Sequence, residues 1–177
     1  MMKTRTESTE ASFGDFAGEC LLRPIAPADN RAVAEIIRRV MTEFGAVGCG
    51  FSIEDAEVDN MSEAYPAPQS AFFVIEVNGD ILGCGGMGPL QGGESGVCEL
   101  RKMYFLPEIR GLGLGNRLLE MILNAARLAG YSLCYLETLE NMHQARKLYA
   151  RHGFESIPYA LGDTGHSSCN RFMTLLL

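Results

Sequence analysis

The chain has no apolar run approaching the roughly 20 residues that span a bilayer, and no apolar h-region near its start, so neither a membrane helix nor a secretion signal is expected. Positive charge is scarce. Fifteen Lys and Arg face 22 Asp and Glu, a formal net charge of −7, which argues against a nucleic-acid or anionic-membrane surface but leaves room for a local basic patch. Histidine is rarer still, and none of His143, His152 and His166 stands at metal-ligand spacing from a cysteine. The six cysteines, Cys20, Cys49, Cys84, Cys98, Cys134 and Cys169, contain no Cys-x-x-Cys and mostly lie in apolar runs. They read as reduced core thiols, so no metal site is expected and the cytoplasm is the expected compartment. The remainder is ordinary globular composition, 47% hydrophobic and 21% charged over 177 residues, enough to bury a core without staples.

The most informative stretch is Glu99 to Asn116. A β-prone run from Val97 to Leu106 stops at Pro107, and a glycine-spaced turn, Arg110 to Gly115, leads into an apolar-periodic helix near Asn116. Amides at a helix N-terminus lack partners within the helix and carry partial positive charge, so a glycine loop there can wrap a phosphate. Glycine tolerates positive φ and sets no Cβ against the ligand. A Walker A loop is excluded, because Gly115 is followed by Asn116 and Arg117 rather than Lys and Ser or Thr. A dinucleotide fingerprint also fails, since its third glycine would fall at Asn116 and its strand belongs earlier in the chain. The plain alternative is a glycine loop that caps an ordinary helix.

In chain order, residues 1–18 are polar with few apolar anchors and read as a tail, and residues 19–177 as one domain. A first strand near Cys20 stops at Pro24; Asp29 then stands as N-cap for a helix through Val33, Ile36, Ile37, Val40, Met41 and Phe44. Residues 45–68 are loop-like, with a short helix expected over 53–63. The acids there suit either an acceptor-binding wall or a solvated surface. Two strands, 70–77 and 81–87, flank Asn78-Gly79-Asp80, a tight-turn signal. The second helix should bury Leu114, Leu118, Ile122, Ala125 and Ala129. A strand over 131–137 follows, and a strand–helix–strand unit of this length implies a right-handed crossover and hence a parallel pair. Asn141 with Gln144 has capping-box spacing for a last helix, after which 154–159 and 171–176 form a terminal strand pair.

Arg110-x-x-Gly113-x-Gly115 after a strand ending in Phe-Leu-Pro resembles the acyl-CoA signature of the GNAT superfamily of N-acetyltransferases. Leu148 to Phe154, Leu-Tyr-Ala-Arg-His-Gly-Phe, behind Asn141 resembles the other half of that signature, and the order of elements matches from about Cys20 to Leu177. The resemblance implies an α/β (α+β) fold: a mixed, mostly antiparallel sheet flanked by helices, with its fourth and fifth strands as a central parallel pair. It also implies acetyl-CoA as co-substrate, held through Met103, Tyr104, Phe105, Arg110, Gly111, Leu112, Gly113, Leu114, Gly115, Asn116 and Asn141, and a small-molecule or peptide amine as acceptor. The protein would be a monomer or homodimer.

Acyl transfer to an amine sets two chemical demands. A protonated primary amine, whose pKa in water is near ~10.4, must lose a proton before it attacks a thioester. Glu99 on the organising strand is the leading base, with Glu137 in reserve; a structural ion pair of Glu99 with Arg101 or Lys102 reads equally well. Strand alternation puts Glu99, Arg101, Met103 and Phe105 on one face unless a bulge changes the parity. The departing thiolate also needs an acid, and Tyr149 matches the tyrosine that similar enzymes use, although a helical tyrosine is commonly half-buried core. Asn141 either contacts the cofactor or caps its helix. The implied reaction is direct transfer in a ternary complex. Two other readings stay open: a non-catalytic acyl-CoA sensor, and an acyltransferase with a longer acyl donor or an oxygen acceptor.

Overall fold

A computed structural model of the chain describes residues 19–177; the tail expected over residues 1–18 lies outside the described residues. Seven strands form one sheet: β1 Cys20–Pro24, β2 Ala71–Val77, β3 Asp80–Pro89, β4 Val97–Phe105, β5 Leu133–Thr138, β6 Glu155–Ile157 and β7 Arg171–Leu176. Their order is β1-β2-β3-β4-β5-β7-β6, antiparallel throughout except for β4 beside β5. The hairpin between β2 and β3 turns on Asn78 and Gly79, at φ 52 and 90, which matches the twist of the two strands.

Helices cover both faces. Helix α1, Asn30–Glu43, buries Val33, Ile36, Ile37 and Val40 in one core cluster with Phe72, Val74 and Cys84. On the other face α3, Leu114–Leu128, buries Leu118, Leu119 and Ile122 with Ile75, Met87, Cys98 and Leu100. The short α2, Met61–Ala64, packs near α1, and α4, His143–Arg151, places Leu148 and Tyr149 in the α3-side core. No described helix is long and apolar enough to cross a membrane.

Three sequence expectations are corrected. The α3 stripe is wider and turned: Leu114, Leu118, Leu119, Ile122, Leu123 and Ala126 are buried, while Ala125 and Ala129 pack only at its edge. The helix expected over 53–63 is instead two 3-10 turns, Ser52–Glu54 and Ala56–Asn60, followed by α2. Asp29 is the N-cap of α1 as expected, but its side chain makes no cap hydrogen bond there: the carboxylate accepts from Ala26 N at 2.8 Å and binds Arg23 at 2.7 and 2.9 Å. Asn141 is not the cap of α4, which starts at His143 behind Met142; its amide instead donates to Phe44 O at 3.0 Å.

The fourth strand also departs from simple alternation. The register shifts between Cys84 and Gly86, where Lys102 sits at φ 51. This bulge puts Glu99, Arg101, Lys102 and Tyr104 toward the α1 side, and Met103 and Phe105 toward α3. Glu99 therefore does not share a face with Met103 and Phe105, because one surplus residue inverts the pleat between them. Gly85 leaves room for the bulge, since a Cβ there would stand 3.1 Å from Met103 Cγ.

Candidate active site

The two parallel strands pair over three positions only, Val97↔Leu133, Cys98↔Cys134 and Glu99↔Tyr135. Beyond Tyr135 they part: β4 runs on to Phe105 and β5 to Thr138 without pairing with each other. A cavity of ≈ 70 Å³ opens in the fork, lined by Glu99, Arg101, Lys102, Met103, Tyr104, Glu137, Thr138, Tyr149 and His166, with Met41, Phe51 and Met142 among its apolar neighbours.

At the open end of the fork stands the glycine turn. Gly111 and Gly113 both take φ 78, with nothing near the position a Cβ would occupy, and Gly113 is the N-cap of α3. Among the described residues the amides of Gly111 through Gly115 find no backbone acceptor, so the exposed N-terminus of α3 presents a row of free donors. That row and the free β4 edge fit a molecule with a diphosphate and an extended amide-bearing arm. Arg110 is tethered beside the turn: its guanidinium binds Glu43 at 2.6 and 2.7 Å and donates to Phe105 O at 2.9 Å. To reach a phosphate it must leave Glu43. Asn116, on the first turn of α3, lies 3.1 Å from His152 Nε2, which ties α3 to the end of α4.

Glu99 is 4% exposed, and burial pushes its carboxyl up to about 7 against the pull of Arg101. Arg101 Nε lies 3.1 Å from Glu99 Oε2, yet it makes no hydrogen bond among the described residues; the rest of the guanidinium donates to Pro89 O and lies over the Tyr65 ring. Glu137 is engaged differently. It accepts from Tyr135 Oη at 3.0 Å and Thr164 Oγ1 at 2.8 Å, so it anchors the loop between β6 and β7. Tyr149 is 7% exposed and its phenol is raised well above its ordinary value by burial. Its ring packs on Phe154, and its hydroxyl has no hydrogen-bond partner among the described residues while the side chain lines the cavity. Tyr104 Oη, in contrast, is held by Ser52 at 3.1 Å.

Sequence reasoning missed a largely buried polar network beside Glu99 in the fork. Lys102, with a side chain 1% exposed, binds Asp55 and lies 3.3 Å from Glu57. Asp55 accepts from His166 Nε2 at 3.1 Å, and His166 Nδ1 lies 3.9 Å from Glu99 Oε1. Burial pulls Asp55 up, but His166 and Lys102 outweigh it and hold the carboxyl below its usual range. The acids of residues 54–63 are thus largely matched within the protein, with Asp59 on Arg38 as well. A lone histidine in a polar loop offers no periodicity that would have flagged His166.

A mixed sheet that forks at one parallel pair, with a glycine-capped helix beneath the fork, is the architecture of acyl-CoA N-acyltransferases. The family model described as Acetyltransferase (GNAT) family matches residues 31–154, and the chain belongs to that family. It is 44% identical over 150 residues to the uncharacterized N-acetyltransferase YjgM of Escherichia coli K12, covering 84% of this chain and 90% of that one. An uncharacterized N-acetyltransferase of Schizosaccharomyces pombe is 33% identical over 75% of this chain and 81% of its own. Among solved structures, a GNAT acetyltransferase of Staphylococcus aureus superposes with a TM-score of 0.79 at 18% identity, over 89% of this chain and 99% of that one. A Salmonella typhimurium protein, yncA, solved with its cofactor acetyl-CoA, superposes with a TM-score of 0.70 at 23% identity, over 90% and 94%.

Proposed function

We propose that the protein moves the acetyl group of acetyl-CoA to a primary amine of a small molecule or peptide, by direct transfer in a ternary complex. One observation carries this reading: a buried carboxyl held near neutrality, Glu99, and an unpartnered phenol, Tyr149, line the same cavity where the central strands part. Acetyl-CoA supplies an activated acetyl group on a thiol leaving group. The free amides from Gly111 to Gly115 hold its diphosphate, and the β4 edge around Met103 to Phe105 takes the pantetheine arm and stabilises the carbonyl oxygen.

Glu99 takes a proton from the acceptor ammonium, since only its ionised form is a base and its carboxyl changes charge near pH 7. Tyr149 keeps its proton at neutral pH and gives it to the departing sulfur. Glu137 holds the β6–β7 loop, which leaves Glu99 as the base. The test is a library of amines screened for thiol release from acetyl-CoA, beside calorimetry of acetyl-CoA binding. Expected are measurable heat and turnover with at least one amine class. No heat at millimolar acetyl-CoA refutes the site, and binding without turnover across the library favours a sensor.

A further inference from the structure

Acetylation of a protonated amine does not balance without a proton exit. The ammonium and the thioester give an amide, a thiol and one free proton, because Tyr149 regains from the nitrogen the proton it lends to sulfur. The surplus proton lands on Glu99, which is 4% exposed and has little direct access to water. We propose that His166 and Asp55 form the path by which that proton leaves Glu99 for solvent, an inference that rests on Glu99 being the base.

The imidazole is set between the two carboxylates, with Nδ1 3.9 Å from Glu99 Oε1 and Nε2 3.1 Å from Asp55 Oδ2. A shift of under about 1 Å closes the longer gap to hydrogen-bond length. The Glu99 O–H bond breaks as Nδ1–H forms; the imidazolium then gives its Nε2 proton to Asp55, whose side chain is 29% exposed and passes it to water. Exchange of the Nδ1 proton for one on Nε2, through water, resets the ring. No oxidant or further reactant is required.

The imidazole is ringed by charged groups from three parts of the chain. From β4 come Glu99, Arg101 and Lys102, from β5 Glu137, and from the segment before α2 Asp55 and Glu57. Thr164 Oγ1 accepts from the His166 backbone N–H at 3.2 Å and donates to Glu137, which fixes the loop that carries the ring. Lys102 binds the same Asp55 Oδ2 that faces the ring and holds it in place. Burial and Lys102 favour the neutral imidazole, yet the Asp55 hydrogen bond and the charges of Asp55 and Glu99 together outweigh them and raise the ring's pKa, while Asp55 is held low and does not retain the proton.

Two amines separate a relay from a merely structural role. Ethylamine is a cation at about pH 7.5 and must shed a proton, whereas trifluoroethylamine is already neutral and leaves no surplus. His166→Gln and Asp55→Asn should each lower kcat at least about tenfold with ethylamine and less than about twofold with trifluoroethylamine, with the Kd for acetyl-CoA unchanged. Imidazole should restore part of the ethylamine rate to His166→Ala. Equal losses with both amines, or no loss with either, overturn the relay. A Glu99→Gln protein that still acetylates ethylamine overturns the base and the relay together; loss in Glu99→Gln without loss in His166→Gln overturns the relay alone. Independently of turnover, a proton–nitrogen NMR titration of the histidine rings should show the His166 midpoint falling in Glu99→Gln, and an unmoved midpoint refutes the coupling.

Discussion

Replacing Glu99 with glutamine keeps the shape of the side chain and removes its titration, and the structure sets both the cost and the gain. The carboxyl stands at about 7 against an ordinary 4.5, chiefly because it is buried. At about 1.4 kcal/mol per tenfold change in proton affinity, that gap amounts to roughly 3 kcal/mol. Below the unfolded value the group is protonated in both states. Between the two values the unfolded chain ionises while the folded one keeps its proton, so stability falls with rising pH; above about 7 the loss is complete. Glu99→Gln should therefore match the wild type near pH 4.5 and exceed it by up to about 3 kcal/mol at pH 8, measured by urea unfolding at both values. Its turnover should drop by about 10²-fold or more, the usual worth of a general base. In the wild type, kcat/KM should rise about tenfold between pH 6 and pH 8 and then level. A stability difference that does not change with pH would show that Glu99 is not held near neutrality, and a variant that keeps its turnover would remove it from the chemistry.

Other substitutions probe the remaining parts. Tyr149→Phe should reduce kcat about 10²-fold with acetyl-CoA affinity intact, and should cost under about 1 kcal/mol because its hydroxyl has no hydrogen bond to lose; an unchanged kcat would remove the acid. Gly113→Ala places a side chain at φ 78, costing about 1 kcal/mol, and should weaken acetyl-CoA binding several-fold by calorimetry; unaltered binding would argue against the α3 amides. Gly86→Ala sets a Cβ 2.4 Å from Ala71 O, a backbone atom that cannot yield, and should destabilise the sheet by more than about 3 kcal/mol in thermal or urea unfolding.

The stretch proposed to hold the donor was legible in the sequence because it is local. Glu99, the strand edge, the glycine turn and the start of α3 follow one another within 18 residues from Glu99 to Asn116, and φ-specific glycines mark the turn in any context. The polar network beside Glu99 was not. Asp55, Lys102 and His166 are brought together by the sheet over separations of 47 and 111 residues, and nothing near any of them signals the others. Asn141 misled for a related reason: its spacing to Gln144 suits a capping box, but the end of α1 offers Phe44 O, and a tertiary partner displaced the local one. Alternation left a bulge in β4 open but did not place it at Lys102, whose ammonium the part-buried carboxylates of Asp55 and Glu57 draw inward at the expense of a left-handed φ.

The loop between β6 and β7 is strapped to the segment after α1, with Ser168 N donating to Gly50 O and Ser168 Oγ to Cys49 O. In the proposed reading, the mouth for the incoming nucleophile is thus sewn from two distant ribbons, while the thioester side is cut from a single continuous one. On that reading, changes in either ribbon would reshape what enters without disturbing the groove for the nucleotide, so taste for acceptors and loyalty to the donor would be set on separate stretches of chain.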